Sequence, residues 1–143
     1  MSNLELPVQE HCAFCAYLSG ERPYTIFKRS DKVAVFVTRE QRGTPHLLVV
    51  PIRHTPTILD LTDDELKLLA VEVREMASVI DRTYARPGIA VWQNNGIPAG
   101  QAINHFHFHV AGTLDSGGTN FGKVEELTVA ETNEIAERLS GTA

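Results

Sequence analysis

His105-Phe106-His107-Phe108-His109-Val110 places three of the chain's six histidines at every second position. Side chains alternate across an extended strand, so a strand here puts three imidazoles on one face and Phe106, Phe108 and Val110 on the other. The aromatic face suits a core. The histidine face does not, because each buried ring needs hydrogen-bond partners. Something polar has to meet it: a metal, a substrate, or both. A solvent-facing strand that happens to be rich in histidine is the plainer alternative.

The rest of the pattern supplies a sheet for that strand to join. Tyr24–Lys28 and Lys32–Val37 read as strands around a turn at Ser30-Asp31, and His46–Val50 as a third, closed by Pro51. Ile89–Gln93 reads as a strand, residues 94–100 as a loop, and His105–Ala111 as the histidine strand. Thr62-x-x-Glu65 is a capping box opening a long helix to about Thr83, with Leu66, Leu69, Ala70, Val73, Met76, Ala77 and Ile80 at helical spacing. Pro87-Gly88 stops it. Thr128-x-x-Glu131 opens a C-terminal helix, and Cys12–Leu18 forms a short one ended by Gly20. The expected fold is α+β: one domain over 1–143 with a mainly antiparallel sheet, a long central helix and a C-terminal helix. Residues 1–10 read as a loose arm, about 12–112 as the core around the histidines, and 113–143 as a C-terminal segment without a recognisable motif.

The net charge of −5 argues against a nucleic-acid polymer or an anionic membrane as partner, while leaving room for a small anion held by local donors. No stretch is long and apolar enough to span a bilayer, and the N-terminus lacks the basic-then-apolar pattern of a secretory signal. Two cysteines make no disulfide scaffold, so a cytoplasmic location is expected. They stand as Cys12-Ala-Phe-Cys15, the spacing at which two thiolates reach one tetrahedral ion. Such a site needs two more ligands, for which histidines are the natural source. A redox pair or two ordinary buried thiols are the other readings; no thioredoxin-like βαβ pattern surrounds the cysteines.

His-φ-His-φ-His-φ-φ, with φ apolar, resembles the motif of the histidine triad (HIT) family, and His105 to Ala111 matches it at every position. Pro45-His46-Leu-Leu-Val-Val-Pro51 is similar to the family's upstream strand, and Asn94-Asn95-Gly96 with Ala99-Gly100-Gln101 to the loop entering the triad. The resemblance implies an enzyme acting on nucleotide phosphates, with His107 as nucleophile and a covalent nucleotidyl-histidine intermediate. It implies that His109 and His46 contact phosphate oxygens or the leaving group, either one delivering its proton. Asn94 would lie near ribose or phosphate, and Gly100-Gln101 would offer backbone amides to phosphate. Phe14 and Phe36 would flank the base or serve simply as core. The zinc-binding branch, like the galactose-1-phosphate uridylyltransferases, implies a structural Zn2+ on Cys12, Cys15, His54 and His105. The family's homodimer, joined through the long helix and an adjacent strand, is expected as well.

Two positions depart from the pattern. Thr38 stands where the family usually has an acidic residue or Asn that grips the ribose; one hydroxyl cannot hold two ribose hydroxyls as a carboxylate does. Ala102 stands where Ser or Thr often contacts phosphate. Arg39 and Arg42 read as an ordinary solvated charge run or as compensating anion contacts. The expected activity is hydrolysis of nucleoside phosphoramidates or dinucleoside polyphosphates. A nucleotidylyl transferase is the rival, though its branches typically carry Gln where His109 stands. A zinc-stabilised nucleotide-binding module with little turnover is the third reading.

Overall fold

Two strands, Val-Ala-Val-Phe-Val and His-Leu-Leu-Val-Val-Pro, are buried along their whole length, which is what uninterrupted β-branched and apolar runs become when both faces of a sheet are covered. The computed structural model describes residues 2–141; Met1 and residues 142–143, the outer ends of the expected domain, lie outside the described residues. Five strands form one antiparallel sheet in the order β1-β2-β3-β5-β4: β1 (Ile26–Arg29), β2 (Val33–Val37), β3 (His46–Pro51), β4 (Ile89–Trp92) and β5 (Phe108–Gly112). On one face Val33, Val35, Val37, Leu47, Val49 and Val110 pack with α2 (Asp63–Tyr84) and α3 (Val129–Leu139). On the other Ala34, Phe36, Leu48 and Val50 pack with α1 (Ala13–Ser19). No helix among the described residues is long and apolar enough to cross a membrane.

The expected capping boxes are present at both ends of the chain's helical potential. Thr62 Oγ1 accepts from the Glu65 amide while Glu65 accepts from the Thr62 amide, and Thr128 and Glu131 do the same for α3. Leu69, Met76, Val79 and Ile80 carry α2 into the core; each such side chain contributes roughly 1.5–3 kcal/mol. The helix ends at Tyr84, where Ala85 turns left-handed at φ 49°, just ahead of the conformational restriction that Pro87 imposes on its predecessor.

Two sequence expectations are corrected. The triad strand begins at Phe108, not His105. Residues 103–107 leave the sheet, and the Phe106 amide bonds Thr55 O at 2.6 Å instead of a strand neighbour. The alternation survives: Phe106 is fully buried in the core below, and the imidazoles face the α1 side. The N-terminal arm has no regular element, yet it is not loose. Glu5 O accepts from the Ile97 amide at 2.7 Å, and the Gln9 carboxamide bonds Ala102 O at 3.1 Å and the Asn104 amide at 2.9 Å.

Candidate active site and metal centre

Cys12 caps α1, and its Sγ accepts from the Cys15 amide at 3.3 Å, so both sulfurs lie on one side of the first turn. Against them stand His54, just beyond β3, and His105 at the foot of β5. The metal-binding atoms of these four residues lie within 4.8 Å of one another. The two Nδ1 atoms are 3.3 Å apart, and the sulfur-to-nitrogen distances are 3.3, 3.4 and 3.6 Å. A tetrahedral ion with bonds of about 2.3 Å to sulfur and about 2.0 Å to nitrogen requires N···N of about 3.3 Å and N···S of about 3.5 Å. The residues therefore fit a metal ion. His105 Nε2 lies 2.9 Å from Pro51 O; a carbonyl only accepts, so the proton is on Nε2 and the lone pair on Nδ1 faces the cluster. Burial holds the His105 ring down at about 4, hence neutral.

His107 is tied the opposite way round. Its Nδ1 lies 2.8 Å from the carbonyl of His105, so Nδ1 carries the proton and Nε2 keeps the lone pair. Burial pushes this ring's pKa down as well. Phe14 meets it edge-on at 5.2 Å between ring centroids, and His109 at 4.8 Å. His109 stacks flat on Trp92, 4.5 Å away with 5° between planes, and its Nδ1 lies 2.9 Å from His46 Nε2. Burial drives His46 down to about 4 and His109 to about 2, so neither is charged near neutral pH.

His46 is held by the turn before β3. Gln41 bonds both its amide and its carbonyl, and its Nδ1 lies 3.1 Å from Glu40 O and 3.1 Å from the Arg42 amide. This turn fits against β5 only because Gly43 and Gly112 lack side chains: a Cβ on either would collide with backbone of the other segment. The close approach brings His46 opposite Ala111, two pairs from the pairing of Leu48 with His109.

A cavity of about 680 Å³ opens over these rings, and Phe14, Thr38, His46, Asn94, Gly100, Ala102, His107 and His109 all line it. Thr38 Oγ1 accepts from the Glu40 amide at 3.2 Å, and Asn94 Nδ2 donates to Ala99 O at 2.7 Å. Phe36 takes the core alternative of its two expected readings, and the amides expected of Gly100 and Gln101 are engaged elsewhere. Phe36 is fully buried behind Phe14 and meets its ring at 5.3 Å, so it supports the wall from within the core. Gly100 and Gln101 do not offer amides to the cavity, because those amides bond Ile97 O and Gly96 O. The Gln101 side chain is buried too and links the Gly96 amide, Pro56 O and Ile103 O. Its role is to shape the loop.

Other cavity residues went unnoticed in the sequence. Trp92 reads in the sequence only as part of a strand, although β4 pairs it with His109. Tyr17 and Tyr24 stack at 3.8 Å and extend the Phe14 wall. Asn120, Phe121 and Glu126 reach the cavity from the motif-free C-terminal segment, which no local signal marked. Arg39 and Arg42 are not merely solvated: their guanidinium groups bond carbonyls of that segment.

The comparisons with known proteins agree with this architecture. The HIT domain pattern matches residues 19–115. An uncharacterised HIT-like protein of Methanocaldococcus jannaschii is 30% identical over 132 residues, 91% of this chain and 99% of its own. An adenosine 5'-monophosphoramidase of Candida albicans is 26% identical, over 88% of this chain and 92% of its own. A zinc-bound histidine triad family protein of Mycobacterium smegmatis shares the fold with a TM-score of 0.77 at 21% identity, covering 91% of this chain and 94% of that one. With the triad, its fourth histidine and the sheet that carries them all in place, the chain belongs to the HIT family.

Proposed function

We propose that the protein is a nucleotide-phosphate hydrolase whose nucleophile is His107 Nε2. The observation that carries this reading is the His107 Nδ1–His105 O contact of 2.8 Å. It fixes the proton on Nδ1, so the bare nitrogen is the one free to meet a ligand in the cavity. A neutral imidazole with an available lone pair is an effective nucleophile. Nε2 attacks the α-phosphorus of the bound nucleotide and forms a P–N bond; the bond to the leaving group breaks and its electrons go to that group. Nδ1–H stays on the His105 carbonyl, which steadies the positive charge on the ring. Water then attacks phosphorus, the P–N bond breaks, and the neutral ring is restored.

The leaving group needs a proton, and the His46–His109 pair can pass one to it. At rest His46 Nδ1 accepts the Arg42 amide and its Nε2–H donates to His109 Nδ1, whose Nε2–H points at the cavity, at 3.1 and 2.9 Å. Both rings are then neutral, and a neutral ring that gave up a proton would be left as an imidazolate, so the pair takes up one proton as the phosphate anion binds, with His46 Nδ1–H donating to Glu40 O, 3.1 Å away. The His109 Nε2 proton goes to the leaving group while the His46 Nε2 proton moves to His109 Nδ1, which leaves both rings neutral; the water that attacks in the second step returns a proton to His109 Nε2. His109 is therefore the proposed donor and His46 the residue that resets it. Thr38 presents one hydroxyl where two ribose hydroxyls would sit, so ribose is gripped weakly. Phosphoramidates and dinucleoside polyphosphates remain the substrate classes; His109 argues against the transferase alternative, in which Gln is typical.

Cys12, Cys15, His54 and His105 would hold a Zn2+ ion, whose role is to fix α1 and the foot of β5 together, since four protein ligands leave no open position. The protein is further proposed to be a homodimer through β4 and α2: Val91 is exposed on the edge strand, and Leu68 and Val71 are exposed on α2. Light scattering should give twice the chain mass of 15.8 kDa; a monomer at micromolar concentration would exclude that interface.

The catalytic reading is tested by following amine release from an adenosine 5'-phosphoramidate. Wild type should release it, and His107→Ala should be slower by about 10³-fold or more. Equal rates would end the reading.

A further inference from the structure

The segment between β5 and α3 is a strap across the cavity rim, pinned to the turn that holds His46. Leu127 and Asn120 donate their amides to Arg39 O and Arg42 O, both at 2.8 Å. Arg39 Nε bonds Leu127 O at 2.6 Å, and Arg42 Nη1 bonds Asn120 O at 3.2 Å and Gly122 O at 2.5 Å. Arg42 thus grips the residues on both sides of Phe121. The Phe121 ring itself is 90% exposed, yet it lines the cavity shared by His107 and His109. An apolar ring held over a cavity by backbone fixed on either side is a ready face for stacking.

The residues that flank Phe121 are tied to the proton-donating pair. Arg42, which holds Asn120 O and Gly122 O, donates its amide to His46 Nδ1, and His46 reaches His109. Trp92 stacks on His109. The aromatic wall of Phe14, Tyr17 and Tyr24 continues from the other flank of His107 and meets the same turn further back, where the Arg39 amide donates to the Tyr24 hydroxyl. His107 therefore lies between two aromatic regions, and Arg42 links the flanks of Phe121 to the one that holds the proton-donating pair.

We propose that Phe121 is a substrate-binding residue on the leaving-group side, where its ring stacks on a planar aromatic group carried by the portion of the substrate that is expelled. This rests on the hydrolase reading and adds to it a preference for the leaving group, set by a segment outside the stretch matching the family. The aromatic group is the ring of an amine or a second nucleobase. The test compares adenosine 5'-phosphoramidates of an indole-bearing and an aliphatic amine, and diadenosine tetraphosphate with adenosine tetraphosphate.

In wild type, kcat/KM should favour the aromatic member of at least one pair. Phe121→Ala should lose about 5- to 100-fold on that member alone, as stacking on an aromatic side chain implies, and Phe121→Trp should retain the preference. The pair that responds identifies the source of the ring. An equal loss on both members, no loss at all, or a changed oligomer mass in Phe121→Ala would overturn the proposal. Failure of the hydrolase reading is separable: the same compounds are titrated by thermal shift against His107→Ala with and without Phe121→Ala, which needs no turnover. Tighter binding of the aromatic member that vanishes with Phe121 supports the proposal even if wild type hydrolyses nothing; identical binding sinks it.

Discussion

His105 and His107 stand two residues apart in one hexapeptide and present opposite nitrogens to their surroundings. In His105 the Nε2–H donates to the Pro51 carbonyl and leaves Nδ1 to the cysteine cluster; in His107 the Nδ1–H donates to the His105 carbonyl and leaves Nε2 to the cavity. Both rings are kept neutral by burial. The residue type and the face are shared, so neither decides the role. What differs is which nitrogen a backbone acceptor has already claimed, and a carbonyl settles that absolutely because it cannot donate.

The largest expected effects break the two ends apart. His107→Ala should abolish nearly all phosphoramidate turnover, by about 10³-fold or more, with the melting temperature close to that of wild type. Cys12→Ser should do the reverse. It should lose the bound metal and lower the melting temperature on the order of 10 °C, as expected for about 3 kcal/mol in a chain of this size, while keeping a measurable rate at low temperature. Metal analysis of protein purified without chelator should find about one zinc per chain in wild type and none in Cys12→Ser. A chelator that stopped turnover without shifting the melting temperature would make the metal catalytic and dissolve the distinction.

The sequence told the two ends apart only in part, and the reasons are physical. Strands β2 and β3 and both capping boxes were legible because they depend on local pattern: an apolar run, or two side chains three residues apart. The metal set was legible through family resemblance and the Cys12–Cys15 spacing. The end of the strand was not: alternation runs through 105–111, but Thr55 O captures the Phe106 amide, and no local feature of the hexapeptide reports a partner fifty residues away. Gln101 had the right address and the wrong task, since its carboxamide finds two backbone partners nearby in the chain, at Gly96 and Ile103, and a third at Pro56. Phe36 and Phe14 are both buried aromatics near the cavity, and only packing shows that one shields the other. Phe121 was out of reach altogether, because its position depends on Arg42 bonding carbonyls about eighty residues on.

The smallest effect sharpens how the metal end is anchored. Arg53 precedes His54 of the candidate metal cluster and forms a paired ion bridge to Glu65 at 2.6 and 3.0 Å, and Glu65 also caps α2. Donation from Arg53 is the main cause that holds the Glu65 carboxyl at about 2. Its unfolded value is about 4.3, so the folded protein is stabilised fully above that value, and the contribution disappears as pH falls toward about 2. Glu65→Gln preserves the capping amide contact but removes the charge. Half of the Arg53 side chain is exposed, so solvent screening limits the cost to about 1 kcal/mol. Urea unfolding should show that difference at pH 7 and a markedly smaller one at pH 3. Loss of metal at acid pH enters both proteins and cancels in the comparison. Turnover at pH 7 should be unchanged within about twofold, because the phosphorus end is held by the Gln41 turn rather than by α2. A difference that grew on acidification would mean that Glu65 is protonated in the folded protein and that Arg53 does not anchor His54.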